Sequence, residues 1–153
     1  MAKLELDMET RVPPDRVMAA LLDFSPRRPE IWSGIAPSQY EVYSVGQTEA
    51  EIKEGTKLPG TMIWAKEHYD WSSDKVTWTV QESNFCTTGS YASATVAPAG
   101  QGGSRIHVVW NRTPTSFTGR LIIGLMALTR GKPIVASMKK AFDRLEEAPT
   151  PPK

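Results

Sequence analysis

The residues best suited to acid–base chemistry lie together in the short segment Glu67-His68-Tyr69. A carboxylate held in an apolar pocket has a raised pKa and can act as a general acid or base. An imidazole titrates near neutral pH without such help, and a tyrosine hydroxyl can donate a proton. Glu67 and His68 are therefore the candidate catalytic residues, with Tyr69 or Tyr91 as a partner. The alternative for Glu67 is a solvated sheet edge or an ion pair with a nearby lysine.

Which of these side chains can meet a ligand depends on one hairpin, formed by strands predicted at Thr61–Trp71 and Lys75–Glu82. If the connecting loop has an even length, Trp71 pairs with Val76, and the residues that share the face of Trp78 are Ile63, Ala65, Glu67, Tyr69 and Trp71. If it has an odd length, the pairing slips by one residue, and that face holds Met62, Trp64, Lys66, His68 and Asp70. We favour the first register because its set is more apolar near the turn, and both remain open at this point.

Metal ligands are scarce in the sequence. It holds two histidines, His68 and His107, and one cysteine, Cys86. These three residues cannot by themselves supply the four nitrogen and sulfur ligands of a structural zinc site, so we predict no metal and no cofactor. His107 alternates with apolar neighbours on a predicted strand and is expected to face solvent. Cys86 is expected to be a small core or loop residue rather than a nucleophile.

Aromatic side chains are the main candidates for contact with an apolar ligand, since the chain has five tryptophans. The alternative is that they fill the core, because pockets and cores use the same residue types. The residues that we expect to contact a ligand are Trp64, Tyr69, Trp78, Tyr91, Trp110, Phe117, Leu121 and Leu125. Arg112 could pair with a ligand carboxylate or phosphate at the pocket mouth. An exposed surface arginine is the alternative that we favour for it.

A long amphipathic helix is predicted over Pro114–Glu147, because apolar residues recur there at helical spacing. Thr113 is the expected N-cap, and Gly131-Lys132-Pro133 is expected to kink the helix without changing its apolar phase. The residues of this apolar face are Phe117, Leu121, Leu125, Leu128, Val135, Met138, Phe142 and Leu145. A second stripe, formed by Ile122, Ile123, Met126 and Ile134, either packs against other helices or gates a cavity.

The rest of the chain has the pattern of a sheet. Alternating residues and turn signals predict about seven strands, with two short helices between the first and the second. Hairpin-length loops imply antiparallel pairing, so the fold class is α+β. The strand at Thr88–Val96 carries small side chains on one face, which either leave room for a cavity or let a helix approach closely.

Size and charge limit the function classes. The chain has 153 residues and a formal net charge of +1, so no broad basic surface for nucleic acid is present. The start of the chain does not resemble a signal peptide, and the longest apolar run, Leu121–Leu128, is too short to span a bilayer. We therefore expect a cytoplasmic protein without stable membrane insertion, one domain over residues 1–147 and a disordered tail over 148–153. The sequence leaves the oligomeric state open.

The order of these elements resembles the helix-grip fold of the START-like (SRPBCC) superfamily, and most of all its polyketide cyclase/dehydrase and lipid transport-like proteins. The short strings that carry the resemblance are Val12-Pro13-Pro14-Asp15-Arg16-Val17, Val76-Thr77-Trp78, Gly102-Gly103-Ser104-Arg105 and Met138–Glu146. The resemblance implies a curved sheet wrapped around the long C-terminal helix, with an apolar ligand held between them.

Three functions follow as hypotheses. The first is binding or transport of a hydrophobic small molecule, such as a lipid or a polyketide-like compound. The second is a cyclase, aromatase or dehydratase that uses acid–base residues in the same cavity. The third is an interaction protein with a filled core.

Overall fold

The computed structural model describes residues 2–147, so the tail expected at 148–153 lies outside the described residues. The strands are β1 (Ala2–Thr10), β2 (Glu41–Val45), β3 (Glu49–Leu58), β4 (Thr61–Trp71), β5 (Lys75–Ser83), β6 (Tyr91–Pro98) and β7 (Ser104–Arg112). The helices are α1 (Pro14–Leu21), α2 (Arg28–Ile31), α3 (Phe117–Leu128) and α4 (Lys132–Glu147), with short 3₁₀ turns at Pro37–Gln39 and Gly100–Gly102.

The seven strands form one antiparallel sheet with the order β1-β7-β6-β5-β4-β3-β2. This arrangement confirms the predicted α+β class. In the β4–β5 hairpin, Trp71 pairs with Val76 and Tyr69 with Trp78, which is the even-loop register. Glu67 and Tyr69 therefore point to the inner face of the sheet, where the helices pack.

The core lies between this inner face and the helices α1 and α4. Its sheet side includes Leu6, Ile52, Val76 and Ile106, and its helical side includes Phe142 of α4, which is 1% exposed. The helical spacing of α4 thus buries Met138, Ala141 and Phe142 as amphipathicity requires. For α4, the predicted apolar phase was correct.

The long C-terminal helix is in fact two helices, which meet at an angle of 80°. Arg130 and Gly131 between them adopt positive φ angles of 55° and 74°, and this turns the chain sharply within two residues. The expected break at Gly131-Lys132-Pro133 therefore exists, but it is far sharper than a kink. The helix also begins at Phe117 with Ser116 as its N-cap, not at Pro114 with Thr113, because the Oγ of Ser116 accepts a hydrogen bond from the Gly119 amide at 3.0 Å.

The predicted apolar face was wrong for α3. Phe117, Leu121 and Leu125, expected to face the sheet, are 74%, 59% and 53% exposed. The buried face is instead that of Gly119 and Ile123. An added Cβ on Gly119 would lie 2.1 Å from the carbonyl oxygen of Phe85, so only a glycine permits this close approach. The docking of this face turns the Phe117 stripe outward.

No single helix among the described residues has both the length and the apolarity needed to cross a bilayer. The pair α3 and α4 reaches these limits only when the two sharply bent helices are counted together.

Candidate functional site

A cavity of about 360 Å³ lies between the inner face of the sheet and the helices α3 and α4. The side chains that line it are mostly apolar and include Trp32, Ile35, Trp78, Trp110, Met126, Ile134 and Met138. Its exposed lining residues are Gly34, Pro133 and Ser137, which place the mouth between α4 and the loop after α2. This volume lies within the range of small-molecule pockets, roughly 300–1,000 Å³. A wider groove of about 850 Å³ beside the β6–β7 turn is lined mainly by charged and polar residues.

One wall of the cavity carries a buried polar cluster of Arg28, Glu54 and Tyr69. The guanidinium of Arg28 donates to Glu54 Oε1 at 2.5 Å and to the Tyr69 hydroxyl at 3.1 Å. Tyr69 in turn donates to Glu54 Oε2 at 3.1 Å. Arg28 also donates to the backbone carbonyls of Leu21 and Asp23, which anchors it to the end of α1. Because Arg28 is only 4% exposed, this cluster depends on its own pairing for charge compensation.

Burial and pairing act on the pKa values of this cluster in opposite directions. Burial is the largest single cause for Arg28 and disfavours its charge, but Glu54 and Tyr69 together outweigh it, and the net effect raises the pKa of Arg28. For Tyr69, burial is the largest cause, and the pKa of its hydroxyl lies well above the usual value. Arg28 therefore stays a cation and Tyr69 stays protonated at any physiological pH.

Aromatic rings extend from this cluster. Tyr69 and Trp78 stack with ring centroids 5.5 Å apart and an interplanar angle of 12°. Phe24 packs edge-on against Tyr69, with ring centroids 5.2 Å apart. Trp110 lies two strands away from Trp78 and also lines the cavity. The flat faces give the cavity walls that suit an apolar or aromatic molecule.

A second buried pair lies beside the main cavity, in a side chamber of about 140 Å³. Arg112 donates to Glu67 Oε2 at 3.2 Å and to Cys86 Sγ at 3.8 Å. Its guanidinium also lies over the rings of Phe85 and Trp110, 5.9 Å from each centroid. Arg112 lines both the main cavity and the side chamber, so it connects the two spaces. It is 7% exposed, which overturns our preference for a surface arginine.

Glu67 is the most perturbed carboxyl group of this site. Burial raises its pKa to about 7, although Arg112 opposes the rise. Burial is the largest single cause for Arg112 and disfavours its charge, but Glu67 and Cys86 together outweigh it and raise the pKa of the guanidinium. A carboxyl group that titrates near neutral pH can donate or accept a proton under physiological conditions.

Three of the expected ligand contacts lie at the cavity: Tyr69, Trp78 and Trp110. Three other candidates point to the opposite face of the sheet. Trp64 borders the side chamber, but its ring packs on the outer face beneath the Lys53 ammonium, which lies 5.0 Å from the ring centroid. Tyr91 pairs with Thr79 on the outer face. His68 lies near Glu49 and Glu51 on that face, so it cannot reach the cavity. This position contradicts the prediction that His68 is a catalytic residue. The reason is strand periodicity: Trp64 and His68 are each one residue from an inward side chain.

The prediction that Phe117, Leu121 and Leu125 contact a ligand in the cavity was also wrong, because α3 exposes these side chains to solvent. His107 was correctly expected to face solvent, since it pairs with Asp7 and Glu5 on the outer face. Cys86 is 2% exposed and packs with Phe85 and Ile123, as expected for a small core residue. The expected gate stripe is divided: Ile123 is buried, while Met126 and Ile134 line the cavity.

Arg28 and Glu54 were not among the residues predicted for the site. Glu54 continues the alternation of the buried residues Ala50 and Ile52, and Arg112 likewise continues that of Val108 and Trp110. A strict reading of period two would therefore have placed both charges inside. Arg28 had no such signal, because a helix of four residues is too short to show an apolar face. No group of three or more side chains that could hold a metal occurs in residues 2–147.

Comparison with solved structures decides the fold. The Zhui aromatase/cyclase from Streptomyces sp. R1128 has a TM-score of 0.77 at 11% identity, with 95% of this chain and 93% of that chain covered. A START superfamily protein from Mycobacterium smegmatis has a TM-score of 0.72 at 9% identity, covering 94% and 98% of the two chains. The fold is the START-like helix-grip fold.

The human StarD13 lipid transfer and protein localization domain shares this helix-grip fold, with a TM-score of 0.67 at 14% identity and coverage of 92% and 76%. No family model and no curated protein sequence matches the chain. The likeness therefore lies in the arrangement of the strands and helices, which confirms the resemblance drawn from the sequence pattern. At these identities it concerns the fold alone.

Proposed function

We propose that this protein binds a hydrophobic small molecule in the cavity between the sheet and α4. The observation that carries the proposal is the cavity itself, since its walls are aromatic and apolar and its few polar groups converge on one side. Structures that share the helix-grip fold support it, because they include a lipid transfer domain and an aromatase/cyclase.

The polar side of the cavity favours a ligand with an oxygen-bearing end. Arg112 uses two of its five N–H groups on Glu67 and Cys86 within the described chain. Its other donors are available to a ligand carbonyl or carboxylate in either chamber. The side chains of Trp78 and Trp110 would then enclose the apolar body of the molecule.

Blocking the mouth tests this proposal. Ser137 is exposed on α4 and faces Gly34, where an added Cβ would lie 3.9 Å from its Oγ. Ser137→Trp is expected to fill this gap and weaken binding of the apolar dye anilinonaphthalene sulfonate by roughly 10-fold or more, which is about 1.4 kcal/mol. Ligands that copurify under non-denaturing conditions should be lost in parallel, as measured by mass spectrometry.

The matched control is Ala136→Trp, which adds the same side chain one residue earlier at an exposed position that does not line the cavity. It should leave dye affinity unchanged. Leu125→Ser removes an apolar side chain from the exposed face of α3. A loss of dye binding in this variant would therefore report dye on that face rather than dye in the cavity. Equal dye affinity in Ser137→Trp and Ala136→Trp, or a protein that binds neither dye nor any copurifying molecule, would contradict the proposal.

Acid–base catalysis on the bound molecule is the second candidate, and Glu67 is the observation that favours it. Its pKa of about 7 suits proton transfer, and it borders the side chamber. The test uses the molecule identified by mass spectrometry together with Glu67→Gln. A carrier returns that molecule unchanged with either protein. An enzyme converts it, and conversion falls in the variant while dye binding is retained.

A further inference from the structure

The outward face of α3 is an apolar stripe without a partner in the described chain. We call it the α3 patch, and it consists of Phe117, Leu121, Leu125 and Leu128, which are 74%, 59%, 53% and 82% exposed. The spacing of four, four and three residues places all of them on one side of the helix. Side chains of this size usually lie inside a protein, and a contiguous exposed group of them marks an interaction surface.

All charged residues that are close to the α3 patch in the sequence are basic. Arg120 lies within the exposed face of α3, and Arg130 and Lys132 follow its end, all three exposed. The sequence has no aspartate or glutamate between Glu82 and Asp143. By contrast, the first 82 residues contain most of the acidic side chains. The patch therefore combines an apolar stripe with a basic rim.

The position of the patch places it beside the cavity. Met126 on the inner side of α3 lines the cavity, and so do Pro133 and Ser137 just beyond the turn. Arg130 and Gly131 in that turn both have positive φ, so Arg130 and Lys132 lie at the sharp turn next to the mouth. A surface that the patch contacts would therefore also lie close to the opening of the cavity.

We propose that the α3 patch docks on the surface of an anionic lipid bilayer. A helix with Phe and Leu on one face and basic residues at its borders is the pattern of an interfacial helix, which lies in the plane of the bilayer with its apolar side at the acyl boundary. The basic side chains meet lipid headgroups of opposite charge. Neither helix needs to cross the bilayer, so the contact is peripheral.

A second copy of the chain fits the same surface less well. Two facing α3 patches would bring two sets of Arg120, Arg130 and Lys132 together, and α3 itself carries no acidic side chain. A stable interface also buries roughly 800 Å² on each partner, which is more than four side chains supply. The docking proposal does not depend on the cavity holding a ligand, and each can fail without the other.

The test is co-sedimentation of the whole chain with vesicles of phosphatidylcholine, with and without phosphatidylglycerol. Binding is expected only with the anionic lipid, and it should weaken as salt rises. Arg130→Asn combined with Lys132→Gln should reduce the affinity by roughly 30-fold. Asparagine is used at position 130 because it tolerates a positive φ. Leu121→Ser combined with Leu125→Ser should also abolish most of the binding, since it removes the apolar half of the contact.

Matched controls come from elsewhere on the surface. Val45→Ser removes a 55% exposed apolar side chain from the edge strand β2, and Lys57→Gln removes an exposed lysine from β3. Neither should change vesicle binding, and circular dichroism should show all variants folded. The proposal is overturned if wild-type protein ignores anionic vesicles, or if the α3 variants bind them as well as wild type does. It is also overturned if ultracentrifugation shows a dimer that only the α3 variants disrupt, because a second copy would then cover the patch.

Discussion

Arg28→Met is expected to destabilise the fold by about 3–5 kcal/mol, because it breaks a buried ion pair by removing one partner. Four hydrogen bonds from the guanidinium are lost at once, to Glu54, Tyr69 and the carbonyls of Leu21 and Asp23. Methionine fills a similar volume, so the loss reports the missing charge and donors rather than a void. Urea unfolding monitored by circular dichroism measures the change in the free energy of unfolding.

The control for this prediction is the adjacent residue. Arg27 pairs with Asp23 at 3.5 Å, but its side chain is 71% exposed, so Arg27→Met should cost no more than about 1 kcal/mol. Arg28→Met in a Glu54→Gln background should cost less than in the wild type, since no uncompensated carboxylate remains. If Arg28→Met and Arg27→Met had equal, small effects, the buried cluster would not be a structural element of the site.

Glu67→Gln is expected to remove a pH dependence of stability that amounts to about 3 kcal/mol between pH 4.5 and 7. The folded-state pKa of Glu67 is about 7, against an ordinary value of 4.5. Between these values the folded protein keeps a proton that the unfolded chain has released. The free energy of unfolding therefore falls as pH rises through this window and levels off above it. Glutamine resembles the protonated acid, so the variant should lose less stability than wild type between pH 5 and pH 8.

The difference between the two proteins isolates Glu67 from other titrating groups. His107 keeps its raised pKa, due mainly to its hydrogen bond with Asp7, in both proteins, so its contribution cancels. Glu82→Gln changes an exposed carboxylate and should leave the pH profile as in wild type. A wild-type protein that gains stability relative to Glu67→Gln as pH rises would show that Arg112 keeps Glu67 ionised, which would remove the basis for a neutral acid in the side chamber.

The strands show how much of the site could be predicted from sequence. Trp78 and Trp110 were placed correctly on the inner face because alternation with polar neighbours has a period of two, and each strand carries that information locally. The same rule, applied strictly to β3 and β7, would have found Glu54 and Arg112. For Arg112, we favoured an exposed position because charged side chains are rarely buried.

Arg28 and α3 show where the sequence was insufficient. The role of Arg28 depends on Glu54 and Tyr69, which lie 26 and 41 residues away along the chain. The orientation of α3 depends on the contact between Gly119 and Phe85, and the apolar spacing of Phe117, Leu121 and Leu125 indicated the opposite face.

The sequence by itself determined the strands, the antiparallel hairpins and the amphipathic face of α4, since each depends on residues that are neighbours in one element. Tertiary structure alone decided which register β4 adopts, how sharply the chain turns at Arg130 and Gly131, and which charges meet inside. The physical reason is that packing depends on distant partners. A glycine that lets two backbones touch can override a helix's own apolar pattern, and a buried charge is stable only where the fold brings its counter-charge to it.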